Sequence, residues 1–157
     1  MERLEIIEGL KHGPNLVAAE IAGVPDAVLR YRPAEGEWSI KEVVGHLRNA
    51  AEVWHKRLYA TATLTDPKMP LWDAVIGNRE TNWQDADLGK LIAEMAEWRA
   101  KTVETLVHAV DWTRLGQHAE IGRRSLKQWA EYVLAHDEEH LATIRALKSS
   151  QAARQPT

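Results

Sequence analysis

The chain has 157 residues with 20 Lys+Arg against 23 Asp+Glu, a formal net charge of −3; that is the length of one domain, and without a basic excess it has little to neutralise a phosphate backbone, which argues against a primary role on nucleic acid. A hydrophobic share of 45% with 27% charged residues belongs to a globular chain and excludes a disordered or fibrous one. The absence of cysteine excludes disulfides, cysteine-ligated zinc, iron–sulfur clusters and a thiol nucleophile of the chain's own.

Apolar residues recur at helical spacing almost throughout. Over about 3–24 the stripe is Leu4, Ile7, Leu10, Leu16, Val17 and Ile21, and Gly13-Pro14 predicts a break or kink within it. Val24-Pro25-Asp26 ends this segment. Ser39-Ile40-Lys41-Glu42 reads as a capping box and opens a second helix, whose stripe is Ile40, Val43, Val44, Leu47, Ala51, Trp54 and Leu58. Residues 61–83, with Pro67, Pro70 and Gly77, read as a long connection holding one short helix near 72–76, long enough to serve as a crossover or a lid. A third helix spans about 87–110 on Leu88, Leu91, Ile92, Met95, Val103, Leu106 and Val110. Ser125-Leu126-Lys127-Gln128 repeats the capping pattern and opens a fourth helix to about 148, leaving 149–157 as a frayed polar tail. No strand-like alternation is visible. The pattern predicts a single all-α domain over 1–148, a four-helix bundle with one long crossover connection. Of the seven tryptophans, Trp54, Trp98 and Trp129 read as core anchors.

The chemistry concentrates on the fourth helix. His136 and His140 are four residues apart and so lie one turn apart on one face, a spacing that lets two imidazoles converge on one metal ion. At about 100° per residue, Leu126, Trp129, Val133, Ile144 and Leu147 define the apolar stripe; His140 falls near its middle and His136 on its flank. Satisfied core histidines and metal ligands fit that placement equally. Among the other histidines, His46 borders the second helix's stripe and can face the bundle interior. His55, nine residues on, points about 180° away. His108 lies off the third helix's stripe, and His12 is unplaced. One inward histidine from the second helix would complete a three-histidine site.

Two charges also stand where charges rarely do. Arg99 is aligned with Leu88, Ile92, Met95 and Leu106, and Asp137 lies within about 40° of the fourth helix's stripe centre. A buried unpaired charge costs several kcal/mol, so each needs a partner or a wet cavity. Two readings stand side by side: they pair with each other, or Arg99 receives an anionic substrate group while Asp137 orients a ligating imidazole.

Glu37-Trp38-Ser39-Ile40-Lys41-Glu42-Val43-Val44-Gly45-His46-Leu47 resembles the WSxxExxxHL segment of the DinB/YfiT-like superfamily. His136-Asp137-Glu138-Glu139-His140-Leu141-Ala142-Thr143-Ile144 resembles that superfamily's HDxxHxxQI helix, with Thr143 where Gln is frequent. Between them Arg114-Leu115-Gly116-Gln117-His118, then Gly122 and Leu126, follow its RxGxH approach to the last helix. The resemblance implies an up-down-down-up bundle and a divalent metal, zinc or nickel, held by His46, His136 and His140. It also brings thiol-dependent S-transferases using low-molecular-weight thiols, and many members without an assigned reaction. His118 occupies a position common in the family that is not a standard ligand, and it is noted with Asp137 as a candidate supporting group.

Three neutral histidines leave a metal its full charge and open positions, which suits activation of a bound thiol or water. Because the chain lacks cysteine, any sulfur nucleophile arrives on a cosubstrate. The leading expectation is a metal-dependent transferase acting on a small-molecule substrate, with Arg99 and Glu42 as candidate catalytic groups; Glu42 is explained equally by its cap. A metal-dependent hydrolase and a non-enzymatic metal-binding stress-response or interaction module are the alternatives. Glu2, Arg3, Glu5, Glu8 and Lys11 break any signal-peptide hydrophobic region, and no apolar run matches a bilayer span, so a cytoplasmic location away from membranes is expected. Family habit and the tryptophan content suit a homodimer, which no residue pattern establishes.

Overall fold

The computed structural model describes residues 1–150. Along the chain come α1 (Arg3–Ile21), α2 (Asp26–Arg30), α3 (Ile40–Thr63), β1 (Lys68–Met69), α4 (Ala74–Glu80), a 3-10 turn at Trp83–Asp85, α5 (Leu88–His108), β2 (Leu115–His118), β3 (Gly122–Ser125) and α6 (Leu126–Ser149). Both capping boxes form. The Ser39 hydroxyl accepts from the Glu42 N–H at 3.2 Å while Glu42 Oε1 accepts from the Ser39 N–H at 3.0 Å. Ser125 and Gln128 make the same exchange at 3.2 and 2.9 Å. Apart from Ser149 and Ser150, the tail expected to fray lies outside the described residues.

Side-chain pairs fix the direction of each helix. Arg99 of α5 reaches Leu10 of α1, and Arg3 reaches Val110 just past the other end of α5, so these two helices are antiparallel. Arg48 binds Glu94 and His55 packs on Trp98, so α3 and α5 are parallel. His46 meets His140 while Trp54 meets Trp129, which makes α3 and α6 antiparallel. Gly9 lies on Leu134 and Glu20 on Arg145, which makes α1 and α6 parallel. The bundle is up-down-down-up. Helices α1 and α3 each pack on both α5 and α6 and so occupy opposite corners.

Parallel neighbours cannot be joined by a tight turn. The chain between α3 and α5 must travel back along a 24-residue helix, roughly 36 Å. Its return is docked at two places. At one, Trp83 lies so close over α3 that a Cβ on Gly45 would fall inside the indole. Trp83 Nε1 donates to Asn78 Oδ1 at 3.1 Å, and Asn78 donates to the Glu42 carbonyl at 3.1 Å. At the other, β1 pairs in parallel with β2, which pairs antiparallel with β3.

The structure is the expected all-α four-helix bundle, with this small sheet as a minor addition. Its strands are two to four residues long and come from distant segments, too short to show alternation. Gly122, at φ +98°, closes the β2–β3 hairpin in a conformation that disfavours side chains. Three smaller differences accompany it. A short α2 follows Pro25, the helix expected near 72–76 starts at Ala74, and α5 ends at His108.

The helix does not break at Gly13-Pro14, since α1 continues through both residues. Proline removes the donor that the Leu10 carbonyl would have accepted from four residues on. Arg99 Nη1 supplies a substitute at 2.9 Å.

The core falls into two apolar clusters. One gathers Val43, Leu47, Met95, Leu141 and Ile144; the other gathers Leu10, Trp54, Leu58, Leu106, Trp129 and Val133. Between them along α1, α5 and α6 lie Gly13, Arg99 and the inward residues His136, Asp137 and His140, and His46 of α3 meets this polar layer. Trp54 and Trp129 are buried as expected. Trp98 is only half-buried, and Lys56 and Lys101 lie over its ring at 5.6 and 4.3 Å.

Candidate metal centre

Helix α3 delivers His46 to the polar layer, and two adjacent turns of α6 deliver His136 and His140. Their ligand-capable nitrogens all lie within 4.8 Å of one another. His136 Nε2 is 3.0 Å from His46 Nε2 and 3.1 Å from His140 Nε2. Nitrogens held 2.0–2.1 Å from one tetrahedral ion are about 3.3 Å apart, so these two separations lie within a few tenths of an ångström of those in a ligand set. A neutral imidazole nitrogen either donates or accepts, and His136 Nε2 has two imidazole neighbours at once. A cation between three converging lone pairs satisfies all three, so the donor set fits a metal.

The surroundings keep the rings neutral and fixed. Burial, reinforced by His140 and His136, lowers the His46 pKa to about 3. Burial, with His140, lowers that of His136 to about 4 against the opposing pull of Asp137. Burial also lowers His140, with Glu139 and Asp137 opposing. The His46 ring stacks on Trp72, centroids 5.4 Å apart and planes 1° from parallel, with Trp38 tilted 5.0 Å away.

Beside the histidines opens a cavity of about 230 Å³. His46, His136, Trp54, Arg57, Leu71, Trp72, Ala74, His118, Glu120, Ile121 and Tyr132 line it. The crossover supplies Leu71, Trp72 and Ala74, and the β2–β3 hairpin supplies His118, Glu120 and Ile121, which explains why the two non-bundle segments are docked together.

Residues 10–144 match the family model of the DinB superfamily. The chain belongs to the DinB superfamily. No curated protein matches it. Among solved structures it is similar to YfiT from Bacillus subtilis, described as a probable metal-dependent hydrolase with an unusual four-helix bundle topology. The two superpose with a TM-score of 0.87 at 19% identity, over 93% of this chain and 85% of that one, a likeness of fold.

Within this DinB bundle the charged candidates are distributed as follows. Arg99 and Asp137 face each other, 3% and 4% exposed. Arg99 Nη1 donates to Asp137 Oδ2 at 2.6 Å and Nη2 to Oδ1 at 3.0 Å. A Cβ on Gly13 would lie 2.6 Å from Asp137 Oδ2 and 2.8 Å from Arg99 Nη1, so glycine there makes room for the pair. Gly13, Pro14, Arg99 and Asp137 thus form one knot binding α1, α5 and α6 immediately beside His136. Glu42 caps α3 and receives Arg32 through both oxygens, at 2.7 and 3.0 Å. Burial raises its pKa, but the hydrogen bonds from Arg32 and the Ser39 N–H outweigh that and hold it below the ordinary value.

His118 stands in the cavity wall rather than in the histidine cluster. Its Nδ1 accepts from the backbone N–H groups of Glu120 and Ile121 at 3.1 and 3.2 Å. The ring proton therefore sits on Nε2. Burial lowers the pKa of this histidine, with Arg57 adding to the effect and Glu120 opposing it.

Sequence reasoning passed over Arg57, Trp72 and Tyr132. For Arg57 a signal existed: eleven residues after His46 is about 1100°, which returns to within about 20° of the same helix face.

Proposed function

We propose that this DinB-superfamily chain is a metal-dependent enzyme in which His46, His136 and His140 hold one divalent ion, zinc or nickel, and activate an exogenous low-molecular-weight thiol for transfer to an electrophilic small molecule. The observation that carries the reading is the convergence of three neutral imidazole nitrogens beside a cavity. Bound there, a divalent ion supplies a Lewis acid that lowers the pKa of a thiol or water ligand.

The chain's own residues prepare the ground for that chemistry. Trp38 and Trp72 fix the His46 ring, so its Nε2 stays directed at His136. The Arg99–Asp137 knot holds α6 against α1 and α5, which sets the height of His136 and His140. His118 presents an Nε2–H donor in the cavity wall, suited to a developing negative charge on a substrate atom. Trp54, Trp72 and Leu71 make part of the cavity wall apolar.

Hydrolysis is the second reading. It is favoured by the description of YfiT as a probable metal-dependent hydrolase, and it differs only in the nucleophile, water in place of thiol.

The test is elemental analysis of protein purified without a polyhistidine tag, beside His46→Ala and His140→Ala. Near one divalent ion per chain, absent from both variants, supports the site. Thiol-dependent turnover of electrophiles by the loaded protein then separates transfer from metal-dependent hydrolysis of esters or amides. Folded wild-type protein that takes up neither zinc nor nickel overturns the reading and leaves a non-enzymatic bundle.

A further inference from the structure

Among the described residues, Arg57 and Arg99 are the two arginines buried to 6% exposure or less. Arg99 has Asp137. Arg57 has no carboxylate partner among the described residues, although burial strongly disfavours an uncompensated cation. Its Nη2 donates to the Pro70 carbonyl at 2.6 Å, while its Nε is buried with no hydrogen-bond partner. The guanidinium lies over the Trp54 ring, its Cζ 4.8 Å from the ring centroid. The cavity beside the three histidines meets this same side chain.

His118, also in the cavity lining, feels the Arg57 charge and donates from Nε2, as shown by its Nδ1 contacts. The one carboxylate in the lining, Glu120, is exposed and forms no ion pair with Arg57.

We propose that Arg57, assisted by His118, is the receptor for a carboxylate group of the substrate, held in the cavity next to the three histidines. A carboxylate accepts two parallel N–H bonds from a guanidinium and supplies the missing counter-charge. The cavity, about 230 Å³, limits the bound part to a small body with aromatic or apolar surface against Trp54 and Trp72. The inference rests on the reading of the cavity as a substrate site, and it assigns Arg57 to binding rather than to the chemical step.

The test uses benzoate and benzamide, nearly equal in shape and different in charge, titrated against full-length protein by quenching of tryptophan fluorescence and by calorimetry. Wild-type protein should bind benzoate about tenfold or more tightly than benzamide, the preference of a charge-assisted bond. Arg57→Met keeps much of the apolar stem over Trp54 and should reduce that ratio to near one at unchanged metal content. Arg57→Lys, which keeps charge but not the fork, should retain part of the preference and guards against a folding defect in Arg57→Met.

The same titration in His46→Ala separates the two readings. Benzoate preference that survives loss of metal and disappears in Arg57→Met supports the receptor whatever the fate of the metal assignment. Preference lost with the metal but intact in Arg57→Met overturns it, as does equal binding of benzamide or no binding of benzoate by wild-type protein. A merely structural Arg57 would change melting without changing the ratio.

Discussion

The link between Pro14 and Arg99 is open to a decisive test. Pro14 cannot donate to the Leu10 carbonyl, and Arg99 supplies the missing bond at 2.9 Å while its other contacts hold Asp137. Arg99→Met leaves the Asp137 carboxylate buried without a counter-charge, which costs about 3–5 kcal/mol. It also leaves the Leu10 carbonyl without a donor, a further ~1–3 kcal/mol. Pro14→Ala in that background returns a backbone N–H to Leu10. In the wild-type background the same substitution finds the carbonyl already bonded. Relief of the proline ring and the loss of proline's stiffness in the unfolded chain occur in both backgrounds and cancel. A double-mutant cycle should therefore show Pro14→Ala more favourable beside Arg99→Met by about 1–2 kcal/mol. With a urea slope of ~1–3 kcal/mol/M, that is a midpoint difference of roughly 0.3–2 M. Urea unfolding of all four proteins with chelator present keeps metal release out of the comparison. Equal effects of Pro14→Ala in the two backgrounds would refute the argument that Arg99 replaces a helix donor.

Close glycine contacts and the buried histidines allow further tests. Gly13→Ala pushes a methyl group into Asp137 and Arg99 and should cost ~1–3 kcal/mol by thermal melting, despite the helix propensity of alanine; Gly9→Ala meets only movable Leu134 methyl groups and should cost less. Gly45→Ala displaces Trp83, so limited proteolysis should cut the 64–87 connection faster in that variant while the α3 helix signal in circular dichroism persists. Metal-free protein should lose stability as pH falls. His46 and His136 titrate at about 3 and about 4 when folded against an ordinary 6.5, so the unfolded chain takes up protons first. The stability is complete above pH ~6.5 and declines toward pH ~4. Urea midpoints across that window should fall less steeply in a His46→Ala, His136→Ala double variant; an equal slope would contradict the assignment.

Helix starts were legible in the sequence because their chemistry spans only a few residues. Ser39 with Glu42 and Ser125 with Gln128 satisfy one another three positions apart, and each pair opens its helix in the structure as read. The shared face of His136 and His140 is likewise a property of one helix. Joining His46 to that pair rested on the resemblance to a family and on the one inward position in the second helix, not on local spacing. Arg57 was within reach of the same wheel arithmetic. Unlike Arg99 and Asp137 it was not singled out, and what sets it apart, a buried guanidinium without a carboxylate partner among the described residues, is a matter of tertiary structure.

The four amphipathic helices, the capping boxes that open two of them and the polar positions interrupting their apolar stripes could be read from the chain alone, since each depends on neighbours within a turn or two. Only the tertiary structure decided what those polar positions meet. Arg99 is 85 residues from Pro14, and Asp137 is 38 from Arg99. The continuity of α1 through a proline depends on a donor that no local pattern contains. The β1–β2 pairing joins Lys68 to Gln117 through strands too short to announce themselves. That the Arg57 guanidinium has no carboxylate partner among the described residues is visible only once distant chain segments have been placed around it, because an ionic partner can come from anywhere in the fold.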